Sequence, residues 1–137
     1  MSRKGWVVLG AVATLGLTVF ASEKPPDAYV KNMKETNVAA QELRKNLDAK
    51  DYEAIAKQAA TLKTLFDNTL SFWESRKAED AIAVAKTGSK AAADLEAAAK
   101  AKNEEAVIST GKTLNATCKS CHDVHRERLP DGTSEIK

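Results

Sequence analysis

Cysteine, histidine and aromatic residues are scarce in this sequence. Its 137 residues include two cysteines and two histidines, and aromatic residues make up 5% of the chain. The cysteines and histidines all fall within one short stretch, at Cys118, Cys121, His122 and His125. A structural zinc site needs four ligands in a tetrahedron, which one short helix cannot easily wrap around an ion. A disulfide between Cys118 and Cys121 would close a very small loop and add little stability.

The sequence also lacks the alternation of apolar and polar residues that is typical of strands. A thioredoxin-type C-x-x-C pair belongs beside a βαβ pattern, so the absence of strands disfavours that redox site. Alanine is abundant and aromatic residues are rare, which limits the size of the core that side chains alone can build. A large, flat, apolar cofactor would add to such a core.

Net charge is nearly absent as well. The chain has 21 basic and 19 acidic residues, and Arg3 and Lys4 account for the difference. Without the first 21 residues the formal net charge is zero when the histidines are neutral. This balance gives no reason to expect nucleic acid as a partner, and it disfavours a strongly steered electrostatic partner.

Residues 1–21 have the pattern of a secretory signal peptide. A positive start is followed by the mostly apolar stretch Trp6–Phe20 and by a small residue, Ala21, at a plausible cleavage point. The stretch is 15 residues long, shorter than the roughly 20 that span a bilayer. An uncleaved membrane anchor is therefore the weaker alternative, and no stable anchor is expected after cleavage. We expect export to the periplasm and one domain at residues 22–137.

Four segments of that domain repeat apolar residues every three or four positions, the period of a helix. The predicted helices cover residues 28–48, 51–75, 78–101 and 103–128. Asn103 is expected to cap the last helix, and the tail after Pro130 is expected to be loosely held. Short polar turns between long helices predict an all-α, antiparallel up-down-up-down four-helix bundle.

The spacing also predicts which positions face the core. In the first helix these are Tyr29, Met33, Thr36, Ala40, Leu43 and Leu47, and in the last helix Val107, Thr110, Leu114, Thr117, Cys121 and Val124. The seam of the third helix is nearly all small residues, so its backbone should approach its neighbours closely. Gly88 lies in that seam, where glycine is expected to weaken the helix by about 1 kcal/mol relative to alanine.

Cys118-Lys119-Ser120-Cys121-His122 is a C-x-x-C-H run, the attachment signal of a c-type haem. Residues three apart lie on one face of a helix, so Cys118 and Cys121 can both meet one edge of a flat macrocycle. The thiols would add across the two vinyl groups of the porphyrin, and His122 would supply an axial nitrogen to the iron. The motif therefore predicts one covalent haem c.

A four-helix chain with CKSCHDVHR late in its last helix resembles the class II c-type cytochromes, the cytochrome c-prime superfamily. The resemblance covers essentially all of residues 22–137. It implies one haem in the bundle core, with Cys118 and Cys121 as the thioether positions and His122 as the proximal ligand. It also implies a signal peptide, and family members often dimerise through their first two helices, so a homodimer is possible.

Three further residues are assigned to the pocket. Arg126 follows His122 by four, where the family often has an arginine near the haem propionates, and a guanidinium pairs well with a carboxylate. An exposed cation at the helix end is the alternative. Trp73 resembles the tryptophan that lines the haem in relatives, although a plain core aromatic would look the same. His125 shares a helix with His122, so we expect it to pack at the haem edge rather than to bind the iron.

Met33 separates two possible functions. One branch of the family places a methionine from the first helix over the iron and transfers electrons; the other places an apolar blocker there and binds small gases. Met33-Lys34 resembles the methionine branch, whereas the upstream arginine common in the family is absent and Lys31 is the nearest basic residue. A methionine that merely fills the core is the alternative.

These residues together predict a periplasmic monohaem cytochrome with His122 and Met33 as iron ligands. It would transfer single electrons to an unidentified redox partner protein, and it would not be an enzyme. The alternative function is a five-coordinate, cytochrome c-prime-like protein that binds NO or CO. A weaker third reading is a haem-free helical adaptor whose thiols bind metal.

Overall fold

The computed structural model describes residues 22–137, and the predicted signal peptide lies outside them. Four helices follow one another: α1 (Asp27–Ala49), α2 (Tyr52–Arg76), α3 (Glu79–Lys100) and α4 (Glu104–His125). Each of the pairs α1–α2, α2–α3 and α3–α4 packs closely. The predicted all-α four-helix bundle is confirmed. Among residues 22–137, no helix is long and apolar enough to cross a membrane.

The turns between the helices are short and depend on lysines in an unusual conformation. Lys50, Lys77 and Lys102 have φ angles of 53°, 56° and 54°, in the left-handed region that glycine usually occupies at helix ends. Helices α2 and α4 each begin with a side-chain cap. Asp51 accepts a hydrogen bond from the backbone N–H of Ala54, and Asn103 accepts one from Ala106. The predicted cap at Asn103 is therefore confirmed.

The main core lies where α2, α3 and α4 meet. Ile55 and Leu62 of α2 and Leu95 of α3 are each no more than 1% exposed. Small residues allow α3 to approach both neighbours, as predicted, because most of its buried positions are alanines: Ala81, Ala85, Ala91, Ala92, Ala98 and Ala99. Burial of this apolar surface is the main contribution to the stability of the bundle.

Helix α1 differs from the other three in how little it buries. Its buried residues are Asn32, Ala39 and Leu43. Five of the six positions predicted to face the core, Leu43 excepted, are only half-buried: Tyr29, Met33, Thr36, Ala40 and Leu47. All six line a cavity instead. The helical period is therefore correct, but the predicted seam faces an opening rather than a packed neighbour.

The end of α4 differs from the prediction. The helix stops at His125, three residues early, and the chain forms a small antiparallel hairpin of β1 (Arg126–Arg128) and β2 (Ser134–Ile136). Leu129 precedes Pro130, and a residue before proline is disfavoured in helix. Val124, predicted to be in the core, is 54% exposed. After Cys121 the next half-buried seam position is His125, four residues on, rather than Val124. A straight helix drifts away from a strict 3.5-residue repeat, which accounts for the shift.

The predicted loose tail is wrong as well. Ile136 is 8% exposed and packs in a second apolar cluster with Trp73, Ala81 and Ile82. Its backbone also pairs with Glu23 in an isolated bridge, in which each N–H donates to the other residue's carbonyl oxygen at 2.8 and 2.9 Å. The tail thus closes the end of the bundle where α1 begins and α4 ends.

Replacing Ile136 with alanine should therefore destabilise the protein. We expect a loss of about 2 kcal/mol in the free energy of unfolding, because a buried isoleucine is truncated to alanine. Denaturant unfolding followed by the fluorescence of Trp73, which packs in the same cluster, measures this loss. Lys137→Ala, at an exposed neighbouring position, is the control, and equal stability of the two variants would show that the tail is not held as described.

Candidate cofactor site

A cavity of about 620 Å³ lies between α1 and α4. It exists because these two helices do not pack closely against each other, unlike the three consecutive pairs. Its size is within the range of about 300–1,000 Å³ that is common for sites of small molecules and cofactors. The wall formed by α1 includes Met33, and the wall formed by α4 includes Cys118, Cys121 and His122.

Five of the six predicted site residues meet at this cavity: Met33, Cys118, Cys121, His122 and Arg126. Two whole helices, α2 and α3, separate Met33 from the C-x-x-C-H motif in the sequence, yet Met33 and the motif share the cavity. Arg126 is no longer in the helix, as the prediction had it, but is the first residue of β1. It still contributes to the cavity lining.

The interior of the cavity is apolar, and residues of α2 and α3 form its floor. Ile55, Leu62 and Phe66 of α2 and Ala85 of α3 line it. The Phe66 ring fills the space beside Gly88, where a Cβ atom would come within 2.3 Å of a ring carbon. The predicted helix cost of Gly88 is therefore accompanied by a packing role that was not predicted, since the missing side chain makes room for the ring.

Both thiols are held in their protonated form. Burial raises the pKa of Cys118, and burial together with the nearby Cys118 and Asp80 raises the pKa of Cys121 to about 11. Each cysteine is reduced and half-buried. The two sulfurs therefore lie three residues apart on one helix as neutral S–H groups facing the cavity.

The imidazole of His122 is held in its neutral form. Burial lowers its pKa, and the positive charge of Arg126 lowers it further, although Asp123 opposes the shift. A neutral imidazole has one ring nitrogen with a free electron pair, which is the form that binds a metal. His122 can thus act as a ligand at neutral pH without first losing a proton.

Trp73 and His125 lie behind the cavity rather than on its lining. Trp73 is 3% exposed, and its ring packs edge-on against Tyr29, which does line the cavity. The His125 ring packs against Trp73 at a centroid distance of 4.8 Å, and its Nε2 lies 2.9 Å from Oδ2 of Asp80. Contacts of Trp73 and His125 with a haem stay predictions.

Two polar contacts bridge α1 and α4 and were not predicted. Arg44 donates a hydrogen bond to Oδ1 of Asn115 at 3.5 Å, and Lys50 donates one to Glu104 at 2.6 Å. All four residues line the cavity, with Glu104 at the start of α4 and Asn115 midway along it. The partners are 71 and 54 residues apart in sequence, so no local pattern could reveal them.

The donor set of the cavity fits a c-type haem. Two neutral thiols with C-x-x-C spacing, a neutral imidazole and the thioether of Met33 border an apolar interior, and haem iron is commonly held by histidine and methionine. By contrast, the part of the chain that the structure describes contains no group of three or more His, Cys, Asp and Glu side chains able to hold a metal ion.

The chain matches no protein-family model, and comparisons with curated proteins and with solved structures found no match. Function is therefore inferred from the residues and geometry of the cavity itself.

The floor of the cavity can be tested at Gly88. In Gly88→Ala the new methyl group must push the Phe66 ring, which has open space only on its cavity side. We expect a loss of about 1–3 kcal/mol in unfolding free energy when a ligand fills the cavity, and a smaller loss when the cavity is empty. Denaturant unfolding of the haem-loaded and the haem-free protein would measure both.

Gly111→Ala is the matched control in the haem-free protein, because a Cβ there would meet only Leu47 Cδ1, at an ordinary 3.7 Å, although Gly111 also lines the cavity. This second variant should be neutral or slightly stabilising, since alanine favours helix over glycine. If the two variants behaved alike, Gly88 would have no special role in shaping the floor.

Proposed function

We propose that the protein is an exported monohaem c-type cytochrome, similar to class II cytochromes, that transfers one electron at a time. The observation that carries the proposal is the cavity between α1 and α4. Its α4 wall presents Cys118, Cys121 and His122, and its α1 wall presents Met33. A motif that attaches haem at the border of an apolar, cofactor-sized cavity supports this function more than the motif alone does.

Cys118 and Cys121 would hold the cofactor covalently. Addition of a thiol to a vinyl group joins the sulfur to one carbon and a hydrogen to the other, so each cysteine must be reduced rather than paired in a disulfide. Both cysteines are free, and their raised pKa values keep them as S–H groups near neutral pH. Their half-buried positions on the lining would hold the cofactor edge against α4.

His122 and Met33 would supply the two iron ligands from α4 and α1. When bound, haem c supplies reversible one-electron chemistry at its iron, and histidine–methionine ligation is a known arrangement that raises the reduction potential. Two protein ligands would leave no open position on the iron, which agrees with an electron carrier rather than an enzyme.

Arg126 would neutralise a carboxylate of the cofactor. It lies on the cavity lining and is close enough to His122 to influence the charge of that imidazole. A guanidinium forms strong paired hydrogen bonds with a carboxylate. The haem propionates are the carboxylates that such a site would receive.

The proposed location is the periplasm, with residues 1–21 as the signal peptide. Attachment of c-type haem outside the cytoplasm supports export in bacteria. The proposed partner is another redox protein, and the balanced charge gives no reason to propose a nucleic-acid partner.

Covalent attachment is the first property to test. The exported protein should keep a haem stain on a denaturing gel, because thioether bonds survive unfolding. Cys118→Ser with Cys121→Ser should lose the stain, while Lys119→Ala, an exposed change within the motif, should keep it. A natural chain without any stain would instead favour the haem-free adaptor.

The absorption spectrum of the haem-loaded protein tests whether Met33 binds the iron. Met33→Ala should convert a low-spin haem into a high-spin form that binds carbon monoxide. Met33→Leu is the sharper variant, since it keeps nearly the same volume and removes only the sulfur. An unchanged low-spin spectrum in both would exclude Met33 as the ligand. A natural protein that is already high-spin and binds NO or CO would support the gas-binding alternative.

A further inference from the structure

Asn32 is buried where an apolar residue would be expected. It is 8% exposed, and it lies on the side of α1 that faces α2. Its side-chain nitrogen donates to the backbone oxygen of Leu65 at 3.1 Å and to Oγ1 of Thr69 at 3.0 Å. Its side-chain oxygen accepts a hydrogen bond from Asn68 at 3.2 Å. All three partners lie within little more than one turn of α2.

Besides these hydrogen bonds, the aromatic packing of Tyr29 on Phe72 and Trp73 holds α1 near this level. The other buried residues of the helix, Ala39 and Leu43, lie two and three turns further along. Tyr29 stacks on Phe72 with a centroid distance of 4.0 Å, but stacked rings tolerate sliding more than hydrogen bonds do. On the opposite side α1 borders the cavity rather than a packed helix. The rotation of α1 near its first turns therefore depends largely on the Asn32 amide.

Met33 follows Asn32 directly, and consecutive residues of a helix point about 100° apart. An amide held against α2 therefore directs the next side chain toward the cavity. A rotation of α1 that brought Met33 onto α2 would remove all three partners from a buried amide, which is strongly unfavourable. A single buried asparagine fixes the register of coiled coils in the same way.

We propose that Asn32 is the positioning residue for Met33: its three hydrogen bonds to α2 fix the rotation of α1 so that the methionine thioether faces the cavity. The effect on the orientation of Met33 follows from the packing of α1 alone. The effect on the iron rests on the proposed function.

Asn32→Leu tests this role, because leucine has a similar size but forms no hydrogen bonds. Oxidation of the full-length protein by chloramine-T, followed by digestion and mass spectrometry of the peptide that contains Met33, reports how accessible the thioether is. Without the amide, α1 is free to sample orientations that turn Met33 away from the cavity wall to solvent, and these exposed orientations dominate the reaction. We therefore expect oxidation several-fold faster than in the natural protein, where Met33 is half-buried. The absorption spectrum and reduction potential of the haem-loaded protein should show a loss of low-spin haem and a lower potential.

Leu95→Ala is the matched control, because Leu95 is fully buried on α3 and does not line the cavity. It should lower the melting temperature but leave Met33 oxidation, spin state and potential unchanged. If Asn32→Leu changed Met33 oxidation no more than Leu95→Ala does, Asn32 would not be the positioning residue. If Asn32→Leu cannot be purified, Thr69→Val removes one partner, and Thr69→Val with Asn68→Ala removes two, so oxidation should rise in that order.

The two proposals fail in different ways. A spectrum that does not change in Met33→Leu would overturn the ligation of iron by Met33, while faster oxidation in Asn32→Leu would still support the positioning role. Conversely, a changed spectrum in Met33→Leu with normal oxidation and a normal spectrum in Asn32→Leu would overturn the positioning role alone.

Discussion

The uneven packing of the four helices is the constraint on which the rest of the structure depends. Small side chains on α3 allow it to approach both α2 and α4, and these three helices enclose the main core. Helix α1 packs on α2 and stands apart from α4. A bundle with four tight interfaces would have no internal space, whereas this one has a cavity of about 620 Å³ along its open side. Every residue proposed to bind iron or the porphyrin edge lies on that opening.

Such an opening exposes apolar surface unless something fills or frames it, and the protein frames it with polar and aromatic contacts. The Lys50–Glu104 contact at one end and the Arg44–Asn115 contact midway along α4 link α1 and α4 across the gap. At the other end Tyr29 packs on the aromatic residues of α2. Exposed ion pairs contribute little stability in general. The α1 positions that line the cavity do not pack against another helix on that side. A covalently held cofactor would give them a large apolar surface to pack against.

Much of the fold could be predicted because it depends on local pattern. A three-and-four apolar period and short polar turns were enough for four helices, and an asparagine before two glutamates was enough for the cap at Asn103. The errors arose where distant residues decide the outcome. Gly88 was expected only to weaken its helix, and its packing role was missed because it depends on the Phe66 ring of another helix, which occupies the place of its side chain. The tail was expected to be loose, but Ile136 completes a cluster that contains residues of α2 and α3.

By itself the sequence determined the helices and the C-x-x-C-H motif, because both depend on the spacing of residues within one segment. It also nominated Met33, through a resemblance and through the absence of any other methionine after residue 1. Only the tertiary structure decided that Met33 and His122 border one cavity, since this depends on the gap between α1 and α4. It also revealed Asn32, whose partners are 33 to 37 residues away. A buried amide is recognisable only once the helix that satisfies it is in place, so no pattern within α1 could identify it.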